Sequence, residues 1–293
     1  MTDHIYTQEH LELPINGPVS RIVSLVPSMT ESLFDLGLGE FVVGVTDYCI
    51  HPADQLADLP RIGGTKKVNI QRIVDLRPEL VIANQEENTK RDVEALQAAG
   101  IPVWVTFPKT IADVFNILWN IMYAFEETTM VPRIRLIEYT YDRVLNMSEQ
   151  KEEEAPCHVF APIWYDPLMT FNAETYAHDV LRVVGGTNVF AERKRLYPLA
   201  ADLGEAPPAA SEEEHDTRYP RITLDEVEQA KPDVILLPSE PFTFTEEHIP
   251  IFAKLDVPAA KNNRIHLIDG ALLTWHGTRV AYALNELPLL MCE

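Results

Sequence analysis

The stretch IQRIVDLRPELVI, residues 70–82, aligns without gaps with LDEVEQAKPDVIL, residues 224–236. Each copy has apolar residues at helical spacing, then a basic-Pro-acidic triplet, then an unbroken apolar run. The triplets are Arg77, Pro78, Glu79 and Lys231, Pro232, Asp233. Such a pattern reads as helix, tight turn and buried strand. The second copy starts 154 residues after the first in a chain of 293, which predicts two similar lobes. A solenoid would need shorter and more numerous units.

Outward from the two copies the alternation of strand and helix continues. Residues 21–26 (RIVSLV) are a predicted buried strand stopped by Pro27, and Ser28 with Glu31 has the spacing of a capping box opening a helix toward Gly37. Residues 41–46, 80–83 and 103–106 are further predicted strands, and residues 89–99, stopped by Gly100, a predicted helix. Between the two copies, residues 110–154 are helical in pattern: Val131, Ile134, Ile137, Tyr141, Val144 and Leu145 recur at spacings of three and four. Pro132 lies near the start of that segment, where proline is tolerated. A helix of about 20 residues would span about 30 Å, so a stiff connector is expected. The second half opens with a predicted strand at 158–163 and a helix at 176–184, and closes with a strand at 265–268 and a helix from 278. Residues 204–220 (GEAPPAASEEEHDTRYP) read as a mobile surface insertion. The expected class is α/β, with parallel strands joined by crossover helices and a division into 1–109, 110–154 and 155–293.

With 46% hydrophobic and 24% charged residues the chain supports sizeable cores, and its net charge of −21 would repel a phosphate backbone, so nucleic acid is a poor partner. No run approaches the roughly 20 apolar residues of a membrane span, so no direct membrane insertion is expected. Cys49, Cys157 and Cys292 are odd in number and hold no C-x-x-C pair, so neither a disulfide framework nor a four-cysteine zinc site is expected and a reducing compartment fits. Residues 1–18 lack a basic and an apolar export segment, which reads as cytoplasmic as written and periplasmic if a leader was removed. There is no complete dinucleotide glycine loop, no phosphate-binding loop, no G-x-S-x-G and no H-E-x-x-H, so neither a nucleotide cofactor nor catalysis is indicated.

In open α/β sheets ligands gather beyond the carboxyl ends of the strands. The residues there include Tyr48, Glu86, Glu87, Trp164, Tyr165, Trp275, His276 and Arg279. Aromatic residues at strand ends suit a flat, largely apolar ligand, with Glu86, Glu87 and Arg279 orienting its polar groups. Cys49 and His51, two residues apart, would share one side of an extended segment and are candidate metal ligands, with His276 as a candidate axial ligand.

Residues 21–52 (RIVSLVPSMTESLFDLGLGEFVVGVTDYCIHP), 63–84 (GGTKKVNIQRIVDLRPELVIAN), 185–190 (GGTNVF) and 219–241 (YPRITLDEVEQAKPDVILLPSEP) resemble the helical backbone metal receptors, the cobalamin and iron-chelate binding proteins of ABC importers. The likeness runs from Arg21 to Leu290. It implies two Rossmann-like lobes with central parallel sheets bridged by one long α-helix, and capture of a corrinoid (cobalamin) or similar metal chelate in the cleft between them. It further implies a corrinoid edged by Tyr48 and Trp275, with Trp164 and Tyr165 as additional wall, while a family tryptophan is replaced near Thr65. The importer-docking carboxylates of the family fall at Gln71 and Asp225, so one carboxylate is missing. The resemblance implies ABC-type uptake with an importer permease as partner, or intracellular handling without one. Haem or a ferric siderophore is the alternative ligand, and a cytosolic enzyme or cofactor chaperone using Cys49 and His51 the alternative class.

Overall fold

The computed structural model describes residues 13–15, 19–207 and 215–292, the side chains of 151–154 excepted. The export-segment reading of residues 1–18 falls almost wholly outside the described residues, as does the 208–214 part of the insertion at 204–220.

The chain folds into two compact units. The first runs to Glu138 and takes back Trp275–Val280; the second comprises Tyr139–Thr274 and the remainder from Ala281. In the first unit the elements are β1 (Ile22–Ser24), α1 (Pro27–Asp35), β2 (Val42–Val45), α2 (Ala53–Leu56), β3 (Gly63–Gly64), β4 (Lys67–Val68), α3 (Ile70–Asp75), β5 (Leu80–Asn84), α4 (Lys90–Ala98), β6 (Val103–Thr106) and α5 (Ile111–Ala124). Four strands form a parallel sheet in the order β2-β1-β5-β6, and β3 with β4 is a short antiparallel hairpin. Helix α6 (Val131–Glu154) follows, 24 residues long, which is about 36 Å. Its residues to Glu138 belong to the first unit and those from Tyr139 to the second.

The second unit continues with β7 (Cys157–Phe160), α7 (Tyr176–Val183), β8 (Gly186–Asn188), α8 (Leu224–Ala230), β9 (Val234–Pro238), α9 (Ile249–Phe252), α10 (Pro258–Lys261), β10 (Ile265–Ile268), α11 (Ala271–Thr274) and α12 (Val280–Glu286), the last beginning in the segment that joins the first unit. Its parallel sheet has the order β8-β7-β9-β10. Counted within each unit, both sheets run 2-1-3-4, so the fold is α/β with the same winding twice. No helix among the described residues is long and apolar enough to cross a membrane.

The repeat in the sequence has a physical basis in matched atoms. Asn69 and Thr223 cap the two helices, their side chains accepting from the N–H of Arg72 and of Glu226. Arg77 and Lys231 then stand at φ 48° and 50°, left-handed positions that stop each helix before the buried proline. The acidic residue of each triplet pins the first strand of its own unit: Glu79 Oε2 accepts from Ser20 N at 2.6 Å, and Asp233 Oδ2 from His158 N at 3.0 Å. Ile73, Val81 and Ala83 lie in the first core, and their counterparts Val227, Ile235 and Leu237 in the second.

Two expectations are corrected. Ser28 and Glu31 do not form a capping box: Pro27, with no N–H to satisfy, opens α1 after Val26, and no side chain caps that end. Both residues lie inside α1 and turn to other partners. Cys157 and Cys292 form a disulfide, with Cα atoms 5.4 Å apart. The pair is 135 residues apart in sequence, and only the return of the chain end to β7 brings it together. Cys49 is the one free thiol, and the bond argues against the reducing compartment expected from cysteine spacing.

Candidate functional site

A 2-1-3-4 winding reverses direction between the first and third strands, and ligands collect beyond the carboxyl ends at that point. In the first unit this is the gap between β1 and β5, and two asparagines organise it. Asn84 Oδ1 accepts from the N–H of Glu86 at 2.8 Å and of Glu87 at 3.2 Å, so its NH2 faces the other way, toward His276 Nε2 at 3.3 Å. Asn88 accepts from Asn84 N and donates to Leu25 O and Thr65 O, joining the end of β1, the β3–β4 hairpin and the loop after β5. Because Asn84 donates to Nε2, the His276 proton sits on Nδ1, 3.5 Å from Ser28 Oγ. Burial pushes the His276 pKa down to about 4, so the ring is neutral and both its nitrogens are engaged.

The neighbours of His276 fasten residues 275–280 to α1. The Arg279 guanidinium donates twice to Glu31, Nε to Oε2 and Nη2 to Oε1, each at 2.8 Å, with both residues buried. Thr278 Oγ1 donates to Asp35 Oδ2 at 2.7 Å, and Thr278 N to Ser32 Oγ at 3.0 Å. Gly277 stands at φ 93°, and a Cβ there would lie 2.1 Å from Ser32 Oγ, so only glycine permits this approach. Trp275 lies over the Arg279 guanidinium, 5.0 Å from centroid to cation, and meets the His51 ring edgewise at 5.9 Å.

Tyr48 belongs to the same edge. It is 62% exposed and packs beside Gly64, and Asp47 N donates to Gly63 O at 2.9 Å. Lys66 Nζ donates to Glu86 O, so the hairpin also holds the loop carrying the half-buried Glu86 and Glu87. Tyr48 and the loop carrying Glu86 and Glu87 thus both lie against the β3–β4 hairpin, and Trp275 meets His51, three residues after Tyr48, all within the first unit. Arg279 is occupied by Glu31 and supports Trp275 from below, which differs from the expected outward role. His276 is buried, so it is a structural pin.

Cys49 and His51 diverge, one buried and the other exposed, with a turn at residues 47–48 and a bend at 51–52 breaking the expected extended segment. The Cys49 thiol is buried, 3.2 Å from each of the hydroxyls of Thr30 and Thr46, and burial raises its pKa, while His51 is exposed. A protonated thiol is a poor metal ligand and nucleophile. Among the described residues no group of three His, Cys, Asp or Glu side chains is arranged to hold a metal ion.

In the second unit Trp164 and Tyr165, after β7, join Phe242, after β9. The Trp164 and Phe242 rings meet edgewise at 5.6 Å, and Tyr165 lies 6.0 Å from Phe242 and 5.1 Å from His248. Phe244 completes the cluster, 4.8 Å from Phe242. Trp164 is 43% exposed, so the cluster has an open aromatic face at the corresponding reversal point of the second sheet.

Residues 22–272 match the family model described as a periplasmic binding protein. The chain belongs to that family. This binding protein is 23% identical over 278 residues to a vitamin B12-binding protein of Vibrio campbellii, covering 95% of the chain and 90% of the relative. Among solved structures it is similar to the periplasmic vitamin B12 binding protein of Vibrio cholerae, with a TM-score of 0.69, 21% identity and coverage of 94% and 97%. It is likewise similar to a periplasmic heme-binding protein from Roseiflexus sp. RS-1 in apo form, with a TM-score of 0.68, 23% identity and coverage of 94% and 98%. As a member of this family it is a binding protein and not an enzyme, which removes the catalytic reading of Cys49 and His51.

Gln71 and Asp225 occupy the second position of α3 and α8, and both are exposed. Gln71 Nε2 donates to Asp75 Oδ1 at 2.8 Å. Several site residues of the binding protein were not legible in sequence. Glu31 and Ser28 were absorbed by a local capping pattern, and their true partners are 248 residues away. Phe244 carries one usable signal, the Phe242-x-Phe244 alternation in the loop after a buried strand, and His248 carries none.

Proposed function

We propose that this binding protein captures a corrinoid or a similar flat metal chelate outside the cytoplasm and delivers it to an ABC importer. The reading is carried by the Trp275 ring meeting His51, three residues after Tyr48 and 224 residues away in sequence, within the unit that also holds Glu86 and Glu87. Aromatic faces offer large contact area at low conformational cost, and carboxylates suit the amide N–H groups at a corrin rim. For the second unit we propose that Trp164 and Tyr165 offer aromatic surface of the same kind. The names of the relatives support this ligand class, and the Cys157–Cys292 bond supports an oxidising compartment. Gln71 and Asp225 are the proposed contacts to the permease.

Haem is the second reading, favoured by one observation: Tyr48 and His51 are both exposed and three residues apart, so either could supply an axial oxygen or nitrogen to iron. Visible-absorbance titrations with cyanocobalamin and with haemin separate the two. Saturable binding of cyanocobalamin at one equivalent supports the corrinoid reading, and a haemin Soret shift abolished by Tyr48→Phe or His51→Ala supports haem. Failure of both chromophores to bind contradicts the chelate reading.

A further inference from the structure

We propose that Glu31 is a positioning residue for ligand capture, acting through Arg279 on the Trp275 indole. This rests on the reading of Trp275 as a ligand contact. Glu31 lies in α1, and its carboxylate meets Arg279, which stands outside the proposed contact set. Its carboxylate holds the Arg279 guanidinium with two hydrogen bonds of 2.8 Å, the paired geometry that fixes both the position and the plane of the guanidinium. The Trp275 ring lies over that guanidinium at 5.0 Å. A charged group aligned in this way fixes the tilt of the ring through the cation–π contact, and partial exclusion of water strengthens it. Another aromatic contact of the ring, the His51 edge at 5.9 Å, sits on an exposed loop residue and constrains it less.

The pair has a second consequence. Residues 275–280 lie in sequence between α11 and most of α12, both parts of the second unit, yet they pack with the first. Glu31 is therefore the member of the group, with Ser32 and Asp35, that ties residues 275–280 to α1 through an ion pair, in the unit carrying Tyr48. An aromatic contact held in place before the ligand arrives loses less freedom on binding, so the expected benefit is affinity through preorganisation.

The test is a double-mutant cycle on cyanocobalamin affinity, haemin replacing it if haemin is the ligand found, with Glu31→Gln and Trp275→Ala alone and together. Glu31→Gln keeps the shape and one hydrogen-bonding oxygen while removing the charge. The expected result is a loss of at least fivefold in the parent and of less than twofold in the Trp275→Ala background. Equal losses in both backgrounds, or no loss in the parent, overturn the proposal. Fluorine NMR of the ligand-free protein labelled with 5-fluorotryptophan gives an independent readout, its Trp275 line assigned from Trp275→Phe. Glu31→Gln should shift or broaden that line while those of Trp104, Trp119 and Trp164 stay in place. An unmoved Trp275 line contradicts the proposal, and Arg279→Lys, which keeps the charge but not the planar fork, should move the same line if Glu31→Gln proves too unstable to measure. Unchanged affinity in Trp275→Ala alone would instead defeat the ligand reading, leaving the NMR result to decide the role of Glu31.

Discussion

His276 is held neutral by its surroundings. Its pKa falls from 6.5 to about 4 through burial, and the Asn84 NH2 aimed at Nε2 occupies the nitrogen that a second proton would take. Between those two values the unfolded chain holds more protons than the folded one, so stability is full above about pH 6.5 and is lost as pH falls toward 4, by on the order of 3 kcal/mol. Urea denaturation at a series of pH values should show this acid slope, and His276→Gln should flatten it; an unchanged slope would contradict the buried neutral ring. His178, lowered by burial as well, titrates in the same direction and leaves part of the slope in place. At Gly277, substitution by alanine adds a left-handed residue and a contact with Ser32 Oγ, so a loss of about 2 kcal/mol or more in folding stability is expected by thermal or urea unfolding. Single residues are the least legible level of the sequence. Chain neighbours suggest a cap for Ser28 and Glu31 and metal ligation for Cys49, whereas their chemistry is decided by Arg279, His276 and two threonine hydroxyls brought in by the fold.

The element scale was far more legible. Each repeated helix-turn-strand is specified within about a dozen residues by a cap, a left-handed basic residue, a proline and an acidic residue, all local signals. The same symmetry places Gln71 and Asp225 at matching exposed positions of α3 and α8. If these helices meet a permease, Asp225→Lys should cut uptake in a reconstituted importer at least fivefold while leaving chelate affinity in solution unchanged. Equal uptake by parent and variant would move the docking surface elsewhere.

Across the whole molecule, two sheets of identical winding were implied by a repeat at half the chain length, but the exchange of residues 275–280 into the first unit was not, since nothing local marks it. The disulfide was hidden for the same reason: closure over 135 residues is a property of the fold. Its removal in Cys157→Ser/Cys292→Ser should cost about 2–4 kcal/mol of stability, read as a lowered melting temperature that reductant no longer affects. The net charge of −21 serves solubility and does not identify the ligand. That identification rests on the aromatic edge, and equilibrium titration with cyanocobalamin tests it most directly. Saturable one-to-one binding is expected, weakening at least tenfold, about 1.4 kcal/mol, on Trp275→Ala. Absence of binding, or binding untouched by that substitution, would contradict it.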